Sequence, residues 1–150
     1  MSIVFQEEGW EAFHKDCQDL WKLHYEEIAS DKERKKLSAD TTRFQSLEAC
    51  GQLYILTARK DGVMVGYVVA AICYHPHFSE ILCAFEDMYF LASGSRGARV
   101  GMRMVKRALA GMKARGAQMA FFHTKDYKNN GRLLTACGLG LSDHIHSGWL

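Results

Sequence analysis

The sequence predicts one α/β domain in which helices flank a central mixed, mostly antiparallel β-sheet. Three observations indicate this class: apolar residues recur at helical spacing near the N-terminus, Asp61-Gly62 separates two strand-like runs, and residues 81–124 read as strand, turn, helix and strand. A two-residue turn joins antiparallel strands, whereas a connection through a helix joins parallel ones. Both kinds of pairing are therefore expected in the sheet.

The composition is that of an ordinary globular protein and bounds the possible partners. The 150 residues, 48% hydrophobic and 24% charged, suffice for a single domain spanning residues 1–150. A net charge of +2 is too small to indicate nucleic-acid binding. No signal peptide and no apolar run of roughly 20 residues is visible. The five cysteines form no Cys-x-x-Cys pair, so we expect free thiols, a cytoplasmic location and no membrane contact.

Two helices are predicted in the N-terminal third of the chain. Apolar residues at helical spacing run from about residue 8 to residue 28 and give one long helix with a single buried face. The charged run at residues 30–36 is typical of a solvated connection. A shorter helix follows, with Asp40 or Thr41 as its N-cap and Gly51 at its end.

The strands are predicted from β-branched and aromatic runs bounded by turn residues. Residues 2–6 read as a short edge strand, and residues 53–60 and 63–74 read as a hairpin. The only proline, Pro76, marks the turn into a further strand at residues 81–91. The second, third and fourth strands are therefore expected to form an antiparallel meander.

The C-terminal part is predicted to continue with a helix, a strand, a helix and a final strand. Residues 96–115 carry apolar positions on one helical face, and Gly116 ends that helix. Residues 118–124 read as a strand parallel to the fourth one, and residues 129–137 as a short helix. Residues 139–150 are expected to hold the last strand or a hairpin.

The passage from strand to helix around residues 93–101 is typical of an anion site, because a helix N-terminus presents free N–H groups and positive potential. Its sequence from Arg96 to Gly101 resembles the acetyl-CoA pyrophosphate loop of the GNAT acetyltransferase superfamily, which reads Arg or Gln, two residues, Gly, one residue, then Gly or Ala. Arg99 replaces the inner glycine, so the loop must either accommodate a Cβ there or follow a shifted path. Similar departures occur in small GNAT-like proteins, including some from bacteriophages. The predicted order β-α-α-β-β-β-α-β-α-β also resembles this superfamily.

The resemblance implies an enzyme that transfers an acetyl group from acetyl-CoA to a primary amine by direct attack in a ternary complex. The acceptor would be a small-molecule amine or a protein amine. Acetyl-CoA would lie against the end of the fourth strand and the loop after it. The residues implied in this contact are Tyr89, Phe90, Leu91, Arg96, Gly97, Ala98, Arg99, Val100, Gly101 and Met102.

The resemblance also implies a general base on the fourth strand, where Glu86 and Asp87 are adjacent. Because side chains alternate across a strand, only one of the two is expected to face the cleft. Glu86 is our first choice and Asp87 the second, with a purely structural carboxylate as the alternative. The position of the usual tyrosine acid is occupied by Leu134, so Tyr127, Tyr89 or water is left to protonate the leaving thiolate.

A second hypothesis is a GNAT-derived interaction or virion-associated protein that has lost catalysis. Arg99 in the loop and Leu134 in place of the acid motivate it. A nucleic-acid module is a third hypothesis, and pairing of the last strand across a homodimer is a further expectation. The pairs His75/His77 and His144/His146 lack a completing ligand pattern, so no metal site is predicted.

Overall fold

The structure, a computed structural model, describes residues 2–97 and 99–150, and within these ranges it contains five strands and five α-helices. In chain order they are β1 (Ile3–Glu7), α1 (Trp10–Asp16), α2 (Gln18–Ile28), α3 (Thr41–Ala49), β2 (Leu53–Lys60), β3 (Val63–His75), β4 (Phe78–Leu91), α4 (Val100–Ala114), β5 (Met119–Phe121) and α5 (Gly131–Ala136). The sheet order is β1-β2-β3-β4-β5. Only β5 pairs in parallel, along β4. The predicted mixed, mostly antiparallel sheet flanked by helices is confirmed.

The β2–β3 hairpin forms as its turn residues predict. Asp61 and Gly62 have φ values of 51° and 82°, and positive φ at both positions is what a tight hairpin turn requires. Asp40 caps α3 by accepting a hydrogen bond from the Arg43 N–H, and Gly51 follows that helix with φ 70°. Local turn and cap chemistry therefore sets these boundaries.

The long N-terminal helix is interrupted, which corrects the prediction of one continuous helix. Cys17 lies between α1 and α2 with φ −83° and ψ −9°, away from the usual helical ψ of about −42°. The apolar face nevertheless continues across the break, and Trp10, Phe13 and Trp21 are all buried. The two helices therefore still cover one face of the sheet.

Helices cover both faces of the sheet, so the protein has three layers. On one face α4 packs on the sheet through Met104, Ala108 and Met112, against residues such as Tyr54 and Val68. On the other face the core joins α1 and α2 to side chains of β2, β3 and β4. Among residues 2–97 and 99–150, no helix has the length and apolar character required to cross a bilayer.

The strand predicted at residues 139–150 is absent, and the sheet ends at β5. Leu141 and Ile145 are 79% and 73% exposed, so the apolar side chains of this segment do not pack on the sheet. It is held instead near its end, where the Trp149 indole donates a hydrogen bond to Asp31 and lies under Arg34. The expected homodimer pairing through this strand loses its basis.

Other boundaries shift because α4 begins later, and β5 ends earlier, than the sequence predicts. A 3₁₀ turn spans Ser93–Ser95 and α4 begins only at Val100, rather than at residue 96. At the other end of the crossover, β5 is limited to three residues and leaves the sheet after Phe121. Both differences open space beside the C-terminal end of β4.

Gly111 lies where α4 approaches the sheet most tightly, and we expect Gly111→Ala to lower the free energy of unfolding. A Cβ there would overlap the Tyr54 hydroxyl and lie 2.8 Å from Tyr54 Cζ. Overpacking of this kind costs about 1–3 kcal/mol, more than the gain of about 1 kcal/mol in helix propensity. In Gly101→Ala the nearest contact is an ordinary 3.7 Å to Leu133, so this control should retain full stability. Urea denaturation gives the free energy of unfolding of both variants. An equal loss in Gly111→Ala and Gly101→Ala would contradict the packing argument.

His24 is held in an apolar setting between α2 and the sheet. Its Nδ1 lies 2.7 Å from the Tyr67 hydroxyl, and its ring stacks on Phe90 with centroids 4.7 Å apart. Burial lowers the pKa of His24 from its ordinary 6.5 to about 4. The imidazole is therefore neutral in the folded protein at pH values where it is protonated in the unfolded chain.

This difference predicts that the free energy of unfolding rises with pH between about 4 and 6.5. The unfolded chain binds the extra proton in this window, which gives a slope of at most about 1.4 kcal/mol per pH unit from His24. Urea denaturation at several pH values should show that His24→Gln lacks this component. An identical pH dependence in the two proteins would show that His24 titrates normally in the fold.

Candidate active site

Two cavities lie on opposite sides of the C-terminal half of β4. The first, of about 630 Å³, lies between the sheet and the α2–α3 region. The second, of about 590 Å³, lies between the end of β4, the first turn of α4 and the segment leading into α5. Ile28, at the end of α2, lines both. The two cavities are therefore neighbours, and we call them the α3-side cavity and the α4-side cavity.

A β-bulge in β4 decides which acidic side chain lines the α3-side cavity. Val69 pairs with Met88 and Ala70 pairs with Glu86, so Asp87 is an extra residue in the ladder. A bulge breaks the strict alternation of side chains. As a result, Asp87 and Met88 both line the α3-side cavity, whereas Glu86 lines neither cavity.

Glu86 instead has a structural position between β4 and β5. It is only 5% exposed, and its Oε2 accepts the backbone N–H of His123 at 2.9 Å and lies 3.3 Å from His123 Nδ1. The hydrogen bond that the His123 ring donates to the Glu86 carboxylate raises the pKa of His123. Because the strands pair only as far as Phe85 and Phe121, the carboxylate satisfies a backbone donor where they separate. The sequence-based preference for Glu86 over Asp87 is not supported by this geometry.

Beyond Phe85, one edge of β4 has no strand beside it among the described residues. The backbone N–H and C=O groups on such an edge can pair with an extended ligand. Tyr89, Phe90 and Leu91 lie on this stretch and all line the α4-side cavity. The open edge therefore faces the region where the sequence predicts cofactor contacts.

Asp87 is open to the cleft but lies among protein atoms that displace water. This burial raises the pKa of its carboxyl above the ordinary value, while the charges of Arg43 and His123 act in the opposite direction. A carboxylate with a raised pKa is a better proton acceptor than an ordinary one. The geometry therefore gives Asp87 the properties expected of a base facing the α3-side cavity.

Arg96 fixes the loop between β4 and α4. Its Nε donates to the Leu91 carbonyl at 2.8 Å, and its Nη2 donates to Glu27 Oε2 at 2.7 Å. Glu27 Oε1 also lies 3.7 Å from Lys128 Nζ, and the hydrogen bond from Arg96 lowers the pKa of Glu27. Arg96, Arg99 and Lys128 all line the α4-side cavity, which gives it the positive charge expected of an anion site.

Arg99 stands where the superfamily pattern has its inner glycine. Its φ of 60° and ψ of 21° are left-handed, a conformation that glycine adopts without the penalty of about 1–2 kcal/mol met by other residues. Of the two alternatives for this loop, the structure thus shows that a Cβ is accommodated. Arg99 is also the N-cap of α4, so its backbone adjoins the positive end of that helix.

The structure brings together most of the predicted cofactor contacts. Those that line the α4-side cavity are Tyr89, Phe90, Leu91, Arg96, Arg99, Gly101 and Met102. Val100 is buried in the core, Gly97 does not line the cavity, and Ala98 lies outside the described residues. Sequence reasoning missed Glu27, Lys128 and Leu133, because they come from α2 and the α5 region and carry no motif.

The tyrosine that would act as an acid is better placed at Tyr89 than at Tyr127. The exposed Tyr127 side chain donates a hydrogen bond to the Ile28 carbonyl and lines neither cavity. Tyr89 lines the α4-side cavity, and within the described residues its buried hydroxyl has no well-formed hydrogen-bond partner. Burial raises its pKa, which keeps the proton on the hydroxyl. Leu134 is buried and apolar.

Solved structures similar to this chain share its fold at low sequence identity. A ribosomal-protein-alanine N-acetyltransferase from Brucella melitensis biovar Abortus 2308 is 14% identical, with 99% of each chain covered and a TM-score of 0.69. A glucosamine-6-phosphate N-acetyltransferase from Arabidopsis thaliana is 14% identical, covering 97% of this chain and 98% of that one, with a TM-score of 0.71. An acetyltransferase from Clostridium acetobutylicum, solved with acetyl-CoA, is 13% identical over 97% and 95% of the chains, with a TM-score of 0.72.

No curated protein matches the sequence. A family model described as the acetyltransferase (GNAT) family matches residues 11–138, which is most of the chain. The match includes β2 to β5 and all five α-helices, except for the first residue of α1. It confirms the resemblance seen in the loop and the element order, and with it the acyl-CoA-dependent acetyl transfer to an amine. The chain belongs to the GNAT acetyltransferase family.

Proposed function

We propose that the α3-side cavity binds the acceptor amine, that the α4-side cavity binds acetyl-CoA, and that transfer takes place directly between them beside the bulge in β4. One observation carries this proposal: the two cavities meet at β4, with the carboxylate of Asp87 on the acceptor side and an open strand edge on the other. Direct transfer requires both substrates at once, and the two cavities provide adjacent places for them.

In this proposal Asp87 accepts the proton that the amine must lose. The amine nitrogen attacks the carbonyl carbon of the thioester, and backbone N–H groups on the open edge of β4 stabilise the developing oxyanion. The C–S bond then breaks, and the sulfur leaves with the bonding electron pair. Tyr89, or water, supplies the proton that the thiolate takes up.

The α4-side cavity fits acetyl-CoA by charge and by shape. Arg96, Arg99 and Lys128 would face the pyrophosphate, together with N–H groups of the first turn of α4. The edge of β4 would pair with the extended arm that carries the thioester. The Clostridium acetobutylicum neighbour was solved with acetyl-CoA, which supports this assignment.

A second candidate function is a GNAT-derived interaction protein without turnover. The burial of Leu134 and the engagement of Tyr127 with the Ile28 carbonyl favour it, because neither position supplies an acid. The Tyr89 hydroxyl favours the enzyme instead. An assay of CoA release from acetyl-CoA with a broad panel of amines distinguishes the two candidate functions. Only the enzyme would release CoA and acetylate an amine at the same time.

The proposal also includes the domain extent, the cellular location and the macromolecular partners of the protein. We expect one domain over residues 1–150 that acts in the cytoplasm, because its cysteines, Cys17, Cys50, Cys73, Cys83 and Cys137, are all free thiols. Nucleic acid is not expected as a partner, given a net charge of +2. A homodimer is tested by light scattering.

We expect Asp87→Asn to lower kcat/KM by about a hundredfold or more, because an amide cannot accept the proton. In the wild type, kcat/KM should fall as pH drops through the raised pKa of Asp87, since the protonated form is inactive, and the variant should lack this fall. The rate of CoA thiol release, with an amine that the wild type acetylates, measures both the loss of kcat/KM in the variant and the pH dependence of kcat/KM. Glu86→Gln is the matched control; if it proves the more damaging change to activity while folding normally, the base has been assigned wrongly.

Replacing Gly101 by Val should weaken acetyl-CoA binding more than replacing Arg99 by Ala. A bulky side chain at Gly101, which lines the cavity, would intrude where the pyrophosphate approaches the backbone. Arg99 is exposed, so its charge contributes about 1 kcal/mol or less. Calorimetric titration, with circular dichroism as a folding control, gives both dissociation constants. A larger effect of Arg99→Ala would mean that side-chain charge holds the pyrophosphate, and no binding to the wild type at millimolar acetyl-CoA would overturn the proposed function.

A further inference from the structure

The α3-side cavity has a basic wall built from three separate parts of the chain. Lys35 comes from the segment before α3, Arg43 from the first turn of α3, and Lys125 from the segment after β5. The acidic side chains that line the same cavity are Asp40 and Asp87. Three cations thus face two carboxylates, while the lowered pKa of His24 leaves this imidazole neutral near pH 7.

The three cations of this wall differ from the paired arginines of the fold, although the Lys35 ammonium also lies over the Trp149 ring. Among the described residues, none of them has a carboxylate oxygen within 4.0 Å, unlike Arg59 and Arg115, which are both paired within the fold. The cations at the α3-side cavity thus keep their charge available. Unpaired basic groups that converge on one cavity are suited to bind an anion.

The two carboxylates do not cancel this charge equally. Asp40 Oδ1 accepts the Arg43 backbone N–H at 2.9 Å as the cap of α3, so this carboxylate is engaged by the helix end. Asp87 lies near enough to Arg43 for the positive charge of Arg43 to oppose the rise in the Asp87 pKa that burial causes. An anion-binding side and a carboxylate that attracts an amine are therefore close together in one cavity.

The rest of the wall limits the size of the acceptor and offers a further donor. Phe44, Leu47 and Leu53 provide apolar surface. Trp21 also lines the cavity, and its buried indole N–H has no hydrogen-bond partner among the described residues. A volume of about 630 Å³ is typical of a site for a small molecule rather than for a folded protein surface.

We propose that the acceptor is a small amine that also carries an anionic group, a phosphate or a carboxylate, held by Lys35, Arg43 and Lys125 while its amine faces Asp87. This inference rests on the proposed function and adds the class of acceptor to it. A polycationic amine would meet repulsion from the basic wall. The anionic group would also orient the amine, because it fixes the far end of the molecule.

The test compares acceptors with and without the anionic group, with kcat/KM calculated for the unprotonated amine of each. Glucosamine-6-phosphate is paired with glucosamine, α-amino acids are paired with their amides, and the aminoglycoside sisomicin serves as a polycation. We expect kcat/KM to be about tenfold or more higher for the anionic member of one pair, as one charge-assisted contact provides. The pair that shows the preference distinguishes phosphate from carboxylate.

The double variant Arg43→Gln with Lys125→Gln should reduce this preference, the ratio of kcat/KM for the anionic acceptor to that for the neutral one, by about tenfold or more. The ratio is the readout because Arg43 also acts on the pKa of Asp87, which affects both acceptors alike. Lys113→Gln, an exposed change on α4 away from the cavity, is the matched control and should retain the preference. Equal rates for anionic and neutral acceptors, a preference for sisomicin, or an unchanged preference in the double variant would overturn the inference.

Binding measurements keep this inference separate from the proposed function. Glucosamine-6-phosphate and the α-amino acids are titrated by calorimetry into the protein saturated with CoA, and the double variant is titrated in the same way. Binding that the double variant weakens, in the absence of any acetyl transfer, would overturn the proposed transfer but support the anion site. Acetyl transfer to amines without any such binding or preference would overturn the anion site alone.

Discussion

The separation of β4 from β5 is the constraint on which both cavities depend. Parallel pairing stops after three residues of β5, and a backbone N–H left unpaired at that point would be costly if buried. Glu86 removes this penalty because its buried carboxylate accepts the His123 N–H. One edge of β4 is thereby kept open, and the crossover helix α4 ends up with its N-terminus beside that edge. This acidic residue in the core thus helps to shape the sheet beside the two cavities.

The bulge at Asp87 adds a second use of irregular backbone in the same strand. A regular β4 would place Glu86 and Asp87 on opposite faces, but the extra residue lets Asp87 and Met88 both line the α3-side cavity. Bulges that redirect a side chain next to an active site are a common device. The left-handed Arg99 at the start of α4 is a third irregularity, so three departures from regular geometry lie along β4 and the loop after it, where the chemistry is proposed.

The features that could be predicted from the sequence are those set by neighbouring residues. Asp61-Gly62 fixes its hairpin and Asp40 caps its helix through contacts within a few positions. The bulge at Asp87 depends on the register between β3 and β4, and the pairing of Arg96 with Glu27 spans 69 residues, so neither leaves a local trace. The tail at residues 139–150 has a strand-like composition, but the sheet offers it no apolar face. The family resemblance therefore located the loop, whereas only the fold shows which of the two adjacent acids lines the α3-side cavity.

The contact of Trp149 with the charged segment at residues 30–36 connects residues 139–150 to the α3-side cavity. Trp149 bonds to Asp31 and lies within 5.7 Å of the Lys35 ammonium, and Lys35 lines the α3-side cavity. Segments with few buried apolar contacts open most readily in native-state hydrogen exchange, and both of these segments are largely exposed. Local opening would thus be concentrated on one wall of the α3-side cavity, while the α4-side cavity rests on α4 and β4. The shape of one cavity can therefore vary through local opening of these two exposed segments, while the framework of the other stays fixed.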